Sequence, residues 1–317
     1  MPEIPLPENT SSPIVALFGP TASGKSRLAI KVAQLSNAII INADSMQIYR
    51  ELAALTARPS IWEEKQADHR LYGFLDANDT CNAARWSQLA RTEIRHAIHK
   101  KRPVLLVGGT GFYLKSLQEG LALIPEISPE IQKKIRALRL EELWEKLNAC
   151  DPNLAQKLAL RDGQRLRRAL EVYHQTGKPL SLWQQEAAYS PPLEMKTIKI
   201  LPERNALYER CNKRLESIWH EAVREVKAYL ALSPQQDWPL SKAIGVPQIK
   251  ALLSDTISDQ EAIEDTQRKT RNYAKRQLTW LHNQHKEAIV LTVSTYEDAE
   301  MKTHAAQIAK IISHMHT

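Results

Sequence analysis

Apolar residues cluster in short unbroken runs along the first part of the chain. Ile14-Val15-Ala16-Leu17-Phe18 has no polar alternation and stops at Gly19. Leu28, Ile30, Val32, Ala33 and Leu35 then follow with the spacing of a helix, so the pattern predicts strand, loop, helix. A second run, Ala38-Ile39-Ile40-Ile41, ends at the polar segment 42–45, and a third, Val104-Leu105-Leu106-Val107, leads into Gly108-Gly109-Thr110-Gly111. Residues 83–100, between them, have helical periodicity. Strands without alternation are buried on both faces, which points to a parallel sheet with crossover helices. Such sheets bind ligands beyond the carboxyl ends of their strands, where the three polar segments converge.

From 117 to 189 the pattern is helical only, with Ile131, Ile135, Leu138, Leu143, Leu147, Leu154, Leu158, Leu166, Leu170 and Val172 at helical spacing. This predicts an inserted all-helical domain over 117–189, ended by Ser190-Pro191-Pro192. Thr197-Ile198-Lys199-Ile200-Leu201 is a candidate strand returning to the sheet. Helices follow over 206–231 and 261–282, the second read as the last long one, with a Pro-containing loop over 233–240 between them. The α/β core is therefore expected to comprise 14–116 and 190–317. Residues 1–13, with Pro2, Pro5, Pro7 and Pro13 among polar residues, read as a loose leader without the basic start and apolar stretch of a signal peptide.

Composition adds little until charge is considered. A chain of 317 residues, 43% apolar and 25% charged, is an ordinary globular protein of about two domains. Its net charge of +7 suits a polyanionic partner, although a solvated surface would give the same value. Cys81, Cys150 and Cys211 have no paired or zinc-finger spacing and are read as unpaired thiols in a reducing compartment. No apolar run approaches the roughly 20 residues that span a bilayer, so a cytoplasmic protein is expected.

Gly19-Pro20-Thr21-Ala22-Ser23-Gly24-Lys25-Ser26 fits the P-loop pattern between a strand and a helix. Its glycines allow a tight turn that points N–H groups at a phosphate, Lys25 supplies charge, and the Ser26 hydroxyl is a candidate magnesium ligand. Asp44 and Thr110 lie at the ends of the second and third strands and should face the same crevice. A carboxylate there could take a proton from an acceptor nucleophile, or it could simply cap the next helix. Arg161, Arg165 and Arg168 are spaced by four and three, with Arg167 close by. Arg268, Arg271 and Lys275 would share one face of the helix over 261–282, and Lys269 and Arg276 another, with Tyr273 and Trp280 interleaved. Such faces suit nucleic-acid phosphates. Arg204, Arg210, Lys213 and Arg214 form a further cationic cluster, from which spacing alone does not select the residue that reaches the loop. The loop by itself fits a nucleoside or nucleotide kinase, or an RNA-binding switch, equally well.

Taken together these segments resemble the bacterial tRNA dimethylallyltransferases, also called tRNA isopentenyltransferases. The resemblance runs in order from the P-loop through Asp44-Ser45-Met46-Gln47-Ile48-Tyr49, Thr56-Ala57-Arg58-Pro59, His69-Arg70-Leu71-Tyr72, Ala83-Ala84-Arg85-Trp86, Gly108-Gly109-Thr110-Gly111-Phe112-Tyr113, Gln164-Arg165-Leu166-Arg167-Arg168, Thr176-Gly177-Lys178-Pro179-Leu180 and Thr270-Arg271-Asn272-Tyr273-Ala274-Lys275-Arg276-Gln277-Leu278-Thr279-Trp280. It implies a P-loop NTPase-like fold with an inserted helical domain that grips the anticodon stem-loop of tRNA. It implies transfer of a dimethylallyl group from dimethylallyl diphosphate to the exocyclic amino group of the adenosine 3′ of the anticodon, with magnesium. The loop from Gly19 to Ser26 would then hold the diphosphate, and Asp44, Thr110 and Arg214 would be catalytic. Asp44 to Gln47, Gln164 to Arg168, Ala243-Ile244-Gly245-Val246-Pro247-Gln248, Arg271 and Lys275 would contact tRNA. The family's usual Ile-Gly-Tyr is Ile244-Gly245-Val246 here, which loses an aromatic ring. One stem-loop gripped per chain suggests a monomer, and the sequence lacks the zinc finger of eukaryotic relatives.

Overall fold

The computed structural model describes residues 12–122, 124–185, 192–284 and 286–315. The expected leader therefore lies outside the described residues except for Ser12 and Pro13. These two are buried, and the Pro13 carbonyl accepts from the Val104 N–H at 2.9 Å. The Ser190-Pro191-Pro192 breaker is outside them too, apart from Pro192.

The chain forms two compact units, one of them Glu119–Leu193 and the other built from Leu6–Gln118 and Glu194–Thr317. The larger unit begins with β1 (Ile14–Phe18), α1 (Lys25–Ser36), β2 (Ile39–Asn42), the short α2 (Ala53–Thr56) and α3 (Ile61–Glu64), β3 (His69–Arg70), α4 (Ala83–His99), β4 (Val104–Gly108) and α5 (Gly111–Gln118). The smaller unit holds α6 (Pro129–Arg136), α7 (Leu140–Cys150), α8 (Pro152–Ala155), α9 (Gly163–Thr176) and α10 (Leu180–Trp183). The chain returns to the larger unit with β5 (Lys196–Pro202), α11 (Arg204–Ala231), α12 (Val246–Leu253), α13 (Asp259–Asn283), β6 (Ile289–Val293) and α14 (Asp298–His314).

The six strands pair in the order β3-β2-β4-β1-β5-β6, all parallel. Every residue of β1, β2 and β4 is buried, as unbroken apolar runs require. The order has a functional consequence. From β1 the chain crosses over β4 to reach β2, whereas β5, the next strand after β4, lies on the other side of β1. The neighbours β1 and β4 thus send their connections in opposite directions and open a crevice at their carboxyl ends. Val15, Leu17, Ile40, Leu105, Val107, Ile198 and Ile200 enter one apolar cluster with Leu28 and Val32 of α1 and Met301, Ile308 and Ile312 of α14. A second cluster joins Ile48, Tyr49 and Leu52 to Leu215, Trp219 and Val226 of α11 and Val246 and Ile249 of α12.

The helical unit has its own core of Ile135, Leu143, Leu147, Leu166, Leu170 and Val172. Buried Asp151 secures it, accepting from the Leu154 N–H at 3.2 Å and the Ser181 N–H at 2.9 Å. The Thr176 hydroxyl oxygen accepts from Trp183 Nε1 at 3.2 Å, and Lys178 lies over the same indole.

Two strands and one long helix go beyond the sequence expectation. β3 has only two residues, too few for an apolar run, whereas β6 contains the apolar run Ile289-Val290-Leu291 beyond the helix read as the last, and is an edge strand with alternating exposure. α14 follows the helix that was read as the last, and Met301, Ala305, Ile308 and Ile312 form its buried stripe. Among the described residues no helix is long and apolar enough to cross a membrane, and Cys81, Cys150 and Cys211 are free thiols.

Glu300 locks the turn into α14. Its carboxylate accepts from the N–H groups of Ser294 at 2.9 Å, Thr295 at 3.1 Å and Tyr296 at 2.8 Å. Burial alone would raise its pKa, yet these N–H groups and the Ser294 hydroxyl bring it down to about 2. A carboxylate with a depressed folded-state pKa stabilises the fold above its unfolded value of about 4.3 and loses that contribution as pH falls toward the folded value. Glu300→Gln should therefore cost about 1–2 kcal/mol at neutral pH. In urea unfolding, the gap from wild type should narrow as pH falls from about 5 to 3.

Candidate active site

The loop after β1 curls because two residues take left-handed conformations, Ala22 at φ 60° and Gly24 at φ 81°. Ser23 N–H closes the turn onto the Pro20 carbonyl at 3.2 Å. Alternating backbone hands of this kind turn successive N–H groups to one side, the geometry of an anion nest. Gly24 then begins α1, whose first turn has no side-chain cap and no acidic residue, so its N–H groups and dipole favour an anion. Lys25 is buried, with Nζ donating to the Pro20 carbonyl at 3.1 Å, and Ser26 is half-buried in the first turn of the helix.

The loop after β2 is organised by Asn42, which is fully buried. Its Oδ1 accepts from the Asp44 N–H at 2.9 Å, and its Nδ2 donates to the carbonyls of Asp44 and Leu71 at 3.0 Å each. Trp86 Nε1 covers the Asn42 carbonyl at 2.9 Å. Asp44 Oδ1 accepts from the Met46 N–H at 3.0 Å. Thr110, after β4, reaches the same place. Its N–H donates to the Ala43 carbonyl at 3.2 Å, while its hydroxyl accepts from the Ser45 N–H at 3.0 Å and donates to the Ser45 hydroxyl at 3.3 Å. The three strand ends picked out in the sequence do meet.

Other groups hold the loop from behind. Gln277 of α13 accepts from the Thr21 N–H at 2.8 Å and donates from Nε2 to the Gly109 carbonyl at 3.1 Å, tying the loops after β1 and β4 together. A Cβ at Gly109 would come within 2.3 Å of that nitrogen, so only glycine allows the tie. Of the cationic cluster on α11, Arg210 and Arg214 reach the loop. Arg210 Nε donates to the Ala22 carbonyl at 3.0 Å. Arg214 donates to the Thr21 hydroxyl at 3.5 Å and to the Ala54 and Leu55 carbonyls at 3.1 and 3.3 Å. Arg204 is exposed, and Lys213 pairs with Glu209 at 2.5 Å on the surface. Sequence reading missed Gln277 and left Arg210 undistinguished. The fourfold spacing of Arg210 and Arg214, which puts them on one helix face, is the signal that could have selected them.

Burial lowers the pKa of Lys25 and of Arg214, and the charge of Asp44 works against that fall in both. Burial also pushes up the hydroxyls of Tyr72 and Tyr273, with Asp44 next in effect. The loop thus sets buried Lys25 and half-buried Arg214 beside the Asp44 carboxylate, an excess of positive charge that an incoming phosphate group would relieve.

Several residues expected to contact tRNA are placed otherwise. Gln47 is buried, with Nε2 donating to the carbonyls of Thr56 and Ala57, and Met46 packs against the second apolar cluster. Leu166 is a core residue of the helical unit. Arg161 precedes α9, which Asp162 caps, so it does not extend the Arg165 and Arg168 face. Gln164, Arg165 and Arg168 are exposed and Arg167 is half-buried. Within 243–248, Ala243, Gly245, Val246 and Gln248 are buried, Ile244 is half-buried and Pro247 is exposed. Gln248 Oε1 caps α12 at the Gly245 N–H, and its Nε2 donates to Asp265 at 2.8 Å. Arg271 turns inward to Asn212 Oδ1 at 2.6 Å. Lys275 is exposed, and with Asn272, Arg276, Thr279 and Trp280 it lines a groove of about 530 Å³ on the outer side of α13.

Residues 47–284 match the family described as IPP transferase. The tRNA dimethylallyltransferase of Zymomonas mobilis is 39% identical over 293 residues, 92% of this chain and 93% of that protein. Its counterpart in Novosphingobium aromaticivorans is 44% identical over 251 residues, 78% of this chain and 89% of that one. The crystal structure of a tRNA isopentenylpyrophosphate transferase from Bacillus halodurans aligns over 96% of this chain and 97% of its own, with a TM-score of 0.68 and 28% identity. A eukaryotic dimethylallyltransferase acting on tRNA shares the fold, with a TM-score of 0.81 at 23% identity over 96% of this chain and 79% of its own. The fold is P-loop NTPase-like.

A lysine with a lowered pKa sheds its charge earlier than usual as pH rises. Affinity for inorganic pyrophosphate should therefore fall as pH rises, at a lower pH than that at which an ordinary lysine titrates. Calorimetry over rising pH, on wild type and Lys25→Met, reads this directly; the variant should bind weakly and with a flatter pH profile.

Proposed function

The chain belongs to the IPP transferase family, and we propose that it moves a dimethylallyl group from dimethylallyl diphosphate to the exocyclic amino group of the adenosine 3′ of the anticodon in tRNA, releasing pyrophosphate. The observation that carries this reading is the pair of cations, buried Lys25 and half-buried Arg214, set against an N–H-lined loop with Asp44 alongside. Family membership tells against the nucleoside or nucleotide kinase that the loop alone would allow.

An adenine amino group is a weak nucleophile, because its lone pair is delocalised into the ring. The barrier is therefore lowered through the leaving group and through alignment. As the carbon–oxygen bond to the diphosphate breaks and the nitrogen–carbon bond forms, negative charge builds on the departing oxygen. The N–H groups of Gly24 to Ser26, Lys25 and Arg214 stabilise it with charges already in place. The Asp44 carboxylate, its backbone fixed by Asn42, accepts the hydrogen bond and then the proton of the amino group. Thr110, whose hydroxyl is fixed by Ser45, helps to seat the extruded base. Gln47 keeps the turn at Thr56 and Ala57 in place instead of touching the base.

Magnesium fits this donor set. Among the described residues no group of three or more His, Cys, Asp or Glu could cage a metal. Magnesium bound with phosphates needs only one or two protein oxygens. Ser26 would hold it directly and Asp44 through water, and when bound it supplies positive charge to the diphosphate. The exposed Gln164, Arg165 and Arg168 of α9 and Lys275 of α13 are the cations and polar groups available to tRNA phosphates. A cytoplasmic setting agrees with three free thiols, and a single chain supplies every group named, as a monomer would.

Incubation with unmodified tRNA, magnesium and dimethylallyl diphosphate should add one dimethylallyl group to the adenosine beside the anticodon, read by mass spectrometry of the digested tRNA. No gain, with phosphorylation of another acceptor from ATP instead, would overturn the assignment. Asp44→Asn keeps an acceptor for the Met46 N–H and should lower kcat about 10²- to 10⁴-fold while tRNA affinity in filter binding stays nearly unchanged.

A further inference from the structure

Tyr296 stands in the connection between β6 and α14, beyond the residues 47–284 that match the family, and it touches the back of the loop after β1. Its ring lies 3.8 Å below the guanidinium of Arg210, measured from Cζ to the ring centroid. On the Gly24 side, a Cβ added to that glycine would be 3.3 Å from Tyr296 Cδ1. The ring therefore fills the space between the arginine and the start of α1. The backbone of the same segment is tied to that helix as well. Arg27 donates to the Tyr296 carbonyl at 3.3 Å, and Arg27 and Lys31 both pair with Asp298, at 2.9 and 2.7 Å.

Two features show that the ring is what the position requires. Tyr296 has φ 59°, a left-handed conformation unfavourable for a bulky residue, and Glu300 holds it there by accepting its N–H at 2.8 Å. Its hydroxyl is buried and has no hydrogen-bond partner among the described residues, so no such bond explains the choice of tyrosine. What the ring secures is Arg210, whose Nε covers the carbonyl of Ala22, the first left-handed residue of the loop.

We propose that Tyr296 is a positioning residue for the diphosphate. Its ring holds the Arg210 guanidinium flat, Arg210 holds the Ala22 peptide, and the N–H groups from Gly24 onward face the anion before it arrives. The inference rests on the loop's reading as a diphosphate site. It does not depend on which group is transferred.

The test measures affinity for inorganic pyrophosphate by calorimetry, with KM for dimethylallyl diphosphate and tRNA affinity alongside. Tyr296→Leu removes the ring and should raise the pyrophosphate Kd and the diphosphate KM together about tenfold, the effect of losing a desolvated cation–π contact. Its tRNA affinity should stay within about twofold of wild type. Tyr296→Phe restores the ring without the hydroxyl and should recover the pyrophosphate affinity to within about twofold. Ile308→Ala is the packing control. It opens a cavity beneath the same helix and lowers Tm, but should leave pyrophosphate binding intact. The proposal is overturned if Tyr296→Phe is as impaired as Tyr296→Leu, or if Ile308→Ala weakens pyrophosphate equally. A wild-type protein that does not bind pyrophosphate removes the diphosphate reading and this inference with it. One that binds pyrophosphate but transfers no prenyl group removes only the proposed reaction, and the Tyr296 series still decides the positioning role.

Discussion

Positive charge buried at the end of a sheet is the constraint around which this molecule is arranged. Lys25 is buried and Arg214 half-buried, and loss of water disfavours the charged form of each more than Asp44 favours it. Both are satisfied at rest by neutral carbonyl oxygens, Pro20 for the lysine and Ala54 and Leu55 for the arginine. Carbonyl dipoles are enough to keep a buried cation from being orphaned, but they do not neutralise it. An anion with two or more oxygens would complement this arrangement, whose donors are already positioned.

The sheet topology brings these donors together without a long mobile loop. The P-loop follows β1, Asp44 follows β2 and Thr110 follows β4, so three consecutive strands of the β2-β4-β1 series contribute one group each at the same edge. α11 and α13 close the site from the far end of the sequence. Gln277 ties the two central loops through partners 256 and 168 residues away. α11 brings Arg210 and Arg214 to the loop and further along supplies Glu225, whose carboxylate accepts from the Ala54 and Leu55 N–H groups at 2.8 and 3.2 Å.

What could be read in the sequence follows the same division. β1, β2 and β4 were legible because strands buried on both faces cannot alternate, and the P-loop because its glycines answer to a local backbone geometry. β6 was open to the same reading in its run Ile289-Val290-Leu291, but it lies past the helix taken as the last, whereas β3, with two residues, left no run to read. The bland-looking Gln277 and Tyr296 were equally hidden. Their roles come from contacts across the fold, and no local pattern records these. The segments carried over from the resemblance mix two kinds of residue. Asp44, Gln47, Leu166 and Gln248 all occur in them, and of these Gln47 and Gln248 hold backbone and neighbouring side chains, and Leu166 fills a core. A string can be kept for packing as much as for contact with a ligand, and burial separates the two.

Short α2 is held at both ends by one helix: Glu225 takes its N–H groups, and Arg214 takes its carbonyls while also reaching Thr21. The planar fork of a guanidinium can serve the helix and the loop at once, because its nitrogens point in different directions. An ammonium group at 214 would carry the same charge on a single tip and would have to abandon one of them. Position 214 is therefore selective for shape as well as for sign, and lysine, the mildest exchange by charge, would split the loop after β1 from the segment 53–57 that the arginine joins to it.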